Sequence, residues 1–514
     1  MKYKQYKFKP NMSAMKTRRI LQKQTLLVLA ALVWAFTGCQ QKEDPQPESS
    51  TISTDGLGTI TSTTAILNGT LNKIGSGGVT DYGFVWGETE NPEVNSTNKK
   101  TFGATNEVTT FNHTITALTP GKTYHVRAYV TDAQGTFYGT NLTFNTLSPS
   151  ISSFSPDNGA QTDTLTIGGS NFTEVTSDIS VKIGSTNVTT IVSSTINEIK
   201  VVIPGGITEG ANKITVSISG VETTSTSDFT YLKGLWTSKK AFPGGHVSNT
   251  SSFQLGSSIY VALGAIIVNS GKQLWQYDSA TDTWTQKTDF GGTARFGSVI
   301  FTIGSKAYVG MGRDAGGAVK DFWEYDSSTN AWTQLKDFSG TVREGAIGFA
   351  LNNKGYMVGG ASTFGKEVWE YDPSGDSWVQ KNNFPEDVAS GRVMNIDGTI
   401  ILGNNQSAKF WKYNATNDSW ASITDFPGTV VSSNNDKFLE TFVVGSKGYV
   451  IENFTQFRVW EYDPSADTWL AKAYNPRYKN TRPHYENVTG LGDKGYMTTR
   501  VSTDAIFWEF DPNK

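Results

Sequence analysis

The 514-residue sequence contains one cysteine, Cys39, so no disulfide and no thiolate metal cluster can form within the chain. Histidine is nearly as scarce, with four in all. A zinc or copper centre needs several soft or imidazole ligands converging, and residues 233–514 offer only His246 and His484. A charge excess is missing too. Lys and Arg total 44 against 47 Asp and Glu, a net charge of −3, which excludes the basic footprint of a nucleic-acid binder. No glycine-rich phosphate loop, serine nucleophile elbow or paired Cys and His appears, so no cofactor and no catalytic residue is assigned. Long amphipathic helical patterns are absent after the N-terminus. What remains is alternating Thr, Val, Ile and Tyr broken by Asn, Asp and the 52 glycines, which predicts an all-β chain.

One pattern recurs. Leu274-Trp275-Gln276-Tyr277-Asp278 is followed by Trp284. The same arrangement returns at Trp323-Glu324-Tyr325-Asp326 with Trp332, Trp369-Glu370-Tyr371-Asp372 with Trp378, Trp411-Lys412-Tyr413-Asn414 with Trp420, and Trp460-Glu461-Tyr462-Asp463 with Trp469. A sixth copy, Trp508-Glu509-Phe510-Asp511, has no second Trp after it, while a lone Trp236 precedes the first copy. The first Trps are 48, 46, 42, 49 and 48 residues apart, the period of a four-stranded repeat unit. Alternation in a strand puts Trp and Tyr of each copy on one face, and a single unit cannot bury that face alone. The tryptophans are therefore expected to be packing between units.

This repeat resembles the kelch family over residues 233–514. The family's double glycine is complete at Gly359-Gly360 and has diverged to Met311-Gly312, Leu402-Gly403, Glu452-Asn453 and Thr498-Thr499. The resemblance implies a six-bladed β-propeller, closed by an N-terminal strand that carries Trp236. The copper chemistry of kelch oxidases needs a thiol that residues 233–514 lack.

The N-terminus carries Arg18 and Arg19, a 12-residue apolar run from Thr25 to Phe36, then Thr37-Gly38-Cys39. That is a secretory pattern, too short to span a bilayer comfortably. It resembles a bacterial lipobox: residues 1–38 would be the signal peptide and Cys39 the lipidated residue that ties the protein to a membrane. Residues 39–50, polar and acidic, read as a disordered tether. They resemble the export signal of Bacteroidetes surface lipoproteins, which implies an outer-membrane, surface-exposed location.

Residues 51–147 alternate as strands. Leu118-Thr-Pro-Gly-Lys-Thr-Tyr124 resembles the corner of fibronectin type III domains, where a tyrosine hydroxyl bonds back to the preceding loop. Residues 148–232, with Phe154-Ser-Pro-Asp-Asn-Gly159 and Leu165-Thr-Ile-Gly-Gly-Ser-Asn-Phe172, resemble the IPT/TIG immunoglobulin-like fold and read as a spacer. The expected architecture is two immunoglobulin-like β-sandwiches followed by the propeller.

Ligand-binding kelch propellers use one rim. Here the corresponding loops hold His246, Arg295, Arg313, Arg343, Glu344, Arg392, Arg482 and His484. Arg295 and Arg343 share one offset, five residues after Phe290 and Phe338. Planar guanidinium groups suit carboxylates and sugar hydroxyls. The leading expectation is a non-catalytic binding or adhesion module for a glycan or protein ligand. The alternatives are a carbohydrate-active enzyme of the mutarotase or epimerase kind, using Arg343, Glu344 and His246, and a purely structural surface protein.

Overall fold

The structure, a computed structural model, describes residues 46–244, 250–264, 271–361, 365–388, 391–404, 407–430, 439–453, 457–475, 484–501 and 504–514. Cys39, His246 and Arg482 lie outside these residues; His484 is described as a strand position only. The described chain is β throughout, with one 3-10 turn at Thr176–Asp178. No helix among the described residues is long and apolar enough to cross a membrane.

Two sheets fill residues 51–145. One is Thr51–Thr54, Ala65–Lys73 and Thr109–Ile115; the other centres on Val79–Gly87 and Thr123–Asp132. Alternation in Ala65–Lys73 buries Ala65, Leu67 and Leu71 against Phe84, Val126 and Val130. The corner expected at Tyr124 is present: its hydroxyl accepts the Thr119 amide at 3.0 Å. From residue 150 to 231, Ser150–Ser155, Thr164–Ser170, Glu198–Val202 and Ile191–Ser194 form one sheet. Ile179–Ile183, Ile214–Ile218 and their neighbours form another. Between them lies an aliphatic core of Leu165, Ile167, Val181, Ile199, Val216 and Ile218.

Beyond residue 234 the chain makes six four-stranded antiparallel sheets. Their first strands are Ser251–Leu255, Val299–Ile303, Ile347–Leu351, Arg392–Ile396, Glu440–Val444 and His484–Leu491. Each first strand touches the first strand of the next sheet, and the sixth touches the first, so the neighbours form a complete cycle. The sixth sheet takes its fourth strand from Leu235–Lys239, which pairs with Asp504–Asp511 and sets Trp236 opposite Phe510. That is the register of Tyr277 with Trp284 in the first sheet.

The repeat's chemistry explains how sheets adhere. In five copies the tyrosine, and in the sixth Phe510, is the buried ring, whereas most first tryptophans are half-buried. Tyr325 meets Tyr260 of the preceding sheet at 5.9 Å; Tyr371 meets Tyr308, and Tyr413 meets Tyr356, at 5.7 Å. Tyr462 shares a core cluster with Ile401 of the preceding sheet, Phe510 meets Tyr449 at 6.4 Å, and Tyr277 meets Tyr496 of the sixth sheet at 5.8 Å. The two tryptophans of a copy grip a phenylalanine arriving from the sheet before. Phe290 lies 5.7 Å from Trp323 and 4.9 Å from Trp332, and Phe338 lies 5.1 Å from Trp369 and 5.2 Å from Trp378. Such edge-to-face pairs are worth roughly 0.5–1.5 kcal/mol each beyond the area they bury.

A polar joint accompanies each aromatic one. Two residues before the second Trp stands Asp282, Asn330, Asp376, Asp418 or Asp467, in a left-handed turn with φ of 51°, 53°, 45°, 51° and 52°. Asp and Asn tolerate that conformation better than most residues. Each side-chain oxygen accepts its own sheet's tyrosine hydroxyl, as Tyr277 gives to Asp282 at 2.8 Å and Tyr325 to Asn330 at 2.9 Å. Each also accepts an amide from the end of the previous sheet: Lys240 to Asp282, Thr288 to Asn330, Lys336 to Asp376, Asn382 to Asp418 and Thr424 to Asp467. Between the fifth and sixth sheets the equivalent position is Gly234, with φ of +129° and no side chain. There the backbone substitutes. The Ala473 amide donates to the Lys233 carbonyl at 2.8 Å, Trp236 Nε1 donates to the Ala473 carbonyl at 3.3 Å, and the Gly234 amide donates to the Lys514 carbonyl at 2.6 Å. A Cβ on Gly234 would meet the Phe510 ring at 2.4 Å, so the position requires glycine on two counts.

Candidate functional site

The starts of the first strands and the ends of the second strands lie at one end of the six-sheet unit. Equivalent first-strand positions are Ser251, Val299, Ile347, Arg392, Glu440 and Asn487, paired with Ala262, Gly310, Val358, Gly403, Ile451 and Thr498. In the second and third sheets these positions are apolar. In the fourth to sixth they become Arg392, Glu440 and Asn487, so one arc of this end is polar.

Arg392 Nη2 donates to Glu440 Oε1 at 2.5 Å, and each side chain is 20 % exposed. Burial pushes the Glu440 carboxyl above its ordinary value, and the Arg392 guanidinium offsets that only in part. Next along the arc, Asn487 is buried, accepts the Thr498 hydroxyl at 3.2 Å and donates to Thr250 at 2.9 Å. Glu452, also buried, accepts the Trp460 indole N–H at 2.7 Å.

Arg295 and Arg343 are placed otherwise than the shared offset suggested. They do occupy matching places, but their side chains are only 1 % exposed and turned inward. Arg295 binds both Asp321 oxygens at 2.6 and 2.7 Å and donates to the carbonyls of Thr293 and Met311. Arg343 binds Glu367 at 2.7 Å and donates to the carbonyls of Thr341 and Gly359. Each guanidinium sits over a phenylalanine, Phe290 at 5.1 Å and Phe338 at 4.9 Å. Burial alone would raise the Asp321 carboxyl. Arg295 and the Trp323 indole outweigh it and hold the group below the usual carboxylate range; Arg343 and Trp369 do the same for Glu367. Their backbones also link sheets, since the Arg295 carbonyl accepts the Gly264 amide and the Arg343 carbonyl the Gly312 amide.

Arg313 and Glu344 form a pair at 2.6 Å on neighbouring sheets, with Arg313 47 % exposed, so this pair is open to solvent at the same end. Glu440 and Asn487 were not apparent as site residues from sequence. The available signal was that Glu440 stands 48 residues after Arg392, one repeat length. Among the described residues no group of three or more His, Cys, Asp or Glu is placed to hold a metal ion.

Comparison with known proteins gives limited matches. No curated protein matches the chain. Among solved structures, one similar chain is a structural genomics protein of unknown function from Bacteroides thetaiotaomicron. It is 12 % identical, with 71 % of this chain and 98 % of that chain covered and a TM-score of 0.39. Another, YjhT, is 15 % identical, with 52 % and 95 % covered and a TM-score of 0.42. At these identities and scores neither assigns anything to this chain. One segment is placed in a family: residues 149–231 match the IPT/TIG domain.

Proposed function

We propose that the protein is a surface lipoprotein whose six-sheet unit is a kelch-type six-bladed propeller, and that it serves as a glycan-binding module. In this reading residues 1–38 are removed and lipidated Cys39 anchors the chain in a bacterial outer membrane. Residues 39–50 tether it, and residues 51–147 and 148–232 carry residues 233–514 away from the surface. The cycle of first-strand contacts and the borrowed strand Leu235–Lys239 support a closed propeller. The IPT/TIG match supports an extracellular binding role.

The observation that carries the binding reading is the partly exposed pair Arg392 and Glu440 on the polar arc, with the open pair Arg313 and Glu344 at the same end. The planar fork of Arg392 beside the Glu440 carboxylate supplies donors and acceptors that sugar hydroxyls need. The full chain screened on a glycan array, with peptide capture in parallel, should retain a glycan. Arg392→Ala should weaken that binding about tenfold, the loss of one charge-assisted contact. Capture of peptides alone, or glycan binding indifferent to Arg392→Ala and Glu440→Ala in folded protein, would refute the reading.

One observation favours a second reading. The Glu440 carboxyl, raised above its ordinary value by burial and standing beside Arg392, is a carboxyl of the kind that an aldose mutarotase or epimerase uses as an acid or base. Polarimetry of fresh aldose solutions decides this: catalysed mutarotation that Glu440→Gln abolishes would make the protein an enzyme.

A further inference from the structure

The first sandwich is one strand short on one side. Its smaller sheet runs Thr51–Thr54, Ala65–Lys73, Thr109–Ile115; the larger runs from Lys99–Thr101 through Val79–Gly87 to Thr123–Asp132. Thr51–Thr54 and Ala65–Lys73 pack over Thr123–Asp132. Thr109–Ile115 lies over Val79–Gly87, with the Phe111 ring 5.0 Å from Tyr82 and 4.8 Å from Phe84. Lys99–Thr101 is the next strand outward in the larger sheet, so it projects past Thr109–Ile115 with no strand of the smaller sheet beneath it. Phe102, just after that strand, stays 37 % exposed although it stacks on Tyr82 at 5.4 Å.

The open side is bordered by an edge ready to pair. Thr109–Ile115 ends its sheet, and along its outer side its backbone has no backbone partner among the described residues. This seven-residue strand, TTFNHTI, holds no proline, glycine, lysine or carboxylate, the residues that usually blunt an edge. Lys100 stands opposite Phe84 and therefore faces the open side, its ammonium 5.4 Å from the Phe102 ring. Among the described residues no carboxylate pairs with it. Asp81 is turned to the opposite face, where it accepts the Tyr129 hydroxyl and the Gly103 amide; Lys99 lies on that face too, over Tyr129. Glu107 is exposed in the loop leading into Thr109. Burial and then the charge of Lys100 lower the His113 imidazole below its ordinary value, so His113 is neutral at pH 7 and Lys100 is the cation of this face.

We propose that this edge docks an extended, acidic peptide segment of a partner protein, which adds to Thr109–Ile115 as a fourth strand beneath Lys99–Thr101. Main-chain bonds to the edge supply affinity, and alternate side chains supply specificity. Inward apolar side chains cover Phe102, and an inward carboxylate meets Lys100. A second copy of this chain fits poorly. With its core on the same side, its own Val79–Gly87 would take the place of Lys99–Thr101; turned over, it would set Thr110, Asn112 and Thr114 against Phe102. The test is selection of a displayed library of peptides of the same seven-residue length on the full chain. Enriched peptides should alternate apolar and polar residues and carry Asp or Glu. Lys100→Glu and Phe102→Ser should each weaken the best of them about tenfold, the loss of one charge-assisted or one apolar contact, with unchanged melting temperature. Arg392→Ala should leave binding intact. Hydrogen exchange of residues 109–115 should slow when the peptide is bound, and methylating alternate backbone amides of the peptide should abolish binding. No enrichment, enriched peptides without an acidic residue, full-strength binding by both folded variants, or unchanged exchange at residues 109–115 would each overturn the proposal. So would a glycan that Phe102→Ser releases, or self-association that it abolishes, since either would put another occupant on the edge.

Discussion

At the scale of single residues, position and role separate most sharply at Arg295 and Arg343. Their equal offsets from Phe290 and Phe338 were legible in sequence and do place them equivalently. The partners were not legible, because Asp321 and Glu367 lie 26 and 24 residues downstream and meet the arginines only across the folded sheet. A buried guanidinium held by a carboxylate and two carbonyls is a structural group. Removing one member of a buried pair costs about 3–5 kcal/mol, with the lower end expected here because Asp321 is partly exposed. Urea denaturation should therefore show Arg295→Ala destabilised by about 3 kcal/mol. Arg295→Met with Asp321→Leu should recover much of that loss, since neither charge is then left unpaired. An Arg295→Ala variant as stable as the wild type would show that the guanidinium is not buried as described.

Among the elements, the joint built on Asp282, Asn330, Asp376, Asp418 and Asp467 carries a pH dependence with a definite sign. Burial would raise the Asp282 and Asp467 carboxyls, but the Lys240 and Thr424 amides and the Tyr277 and Tyr462 hydroxyls outweigh it and lower them. A carboxylate depressed in the folded state contributes stability that is present above its unfolded value of about 3.9. That contribution is lost as pH falls through the lower folded value. Asn330 makes the same two hydrogen bonds with a group that does not titrate. Asp467→Asn should therefore keep most of the stability at pH 7 and shrink the loss as pH falls below about 4, read from urea midpoints at each pH. Asp467→Ala should cost about 1–2 kcal/mol at pH 7, since the bonds from the Tyr462 hydroxyl and from the Thr424 amide and hydroxyl are removed from a partly exposed site. An acid profile unchanged by Asp467→Asn would mean that the joint is not where acid acts. The sequence displayed this joint as Asp or Asn two residues before Trp284, Trp332, Trp378, Trp420 and Trp469. Its meaning needed the amide from the preceding sheet, about 40 residues away, which no local pattern reveals.

In the whole molecule, the strands, the six repeats and the displaced Trp236 could all be read from periodicity, because each is a local signal repeated. The relation between the second sandwich and the six-sheet unit could not. Residues 148–232 read as a spacer, yet Lys472 with Glu209, Tyr474 with Asp163, and Leu232 beside Trp236 make them part of the support under the fifth and sixth sheets. A fragment of residues 233–514 would leave Lys472 and Tyr474 without these partners and expose the cluster around Trp236. It should melt below a fragment of residues 148–514, and calorimetry of the two should show one cooperative transition in the longer piece. Equal melting temperatures would mean that the sandwich is only a spacer.

The central claim is that six sheets close through a strand borrowed from the start of the unit. Hydrogen exchange of the full chain, followed by mass spectrometry, tests it most directly. If Leu235–Lys239 is the fourth strand of the sixth sheet, its amides are protected to the same degree as those of Asp504–Asp511, and both exchange together as denaturant is raised. Exchange of residues 235–239 at the rate of an open linker, while Asp504–Asp511 stays protected, would contradict the closure.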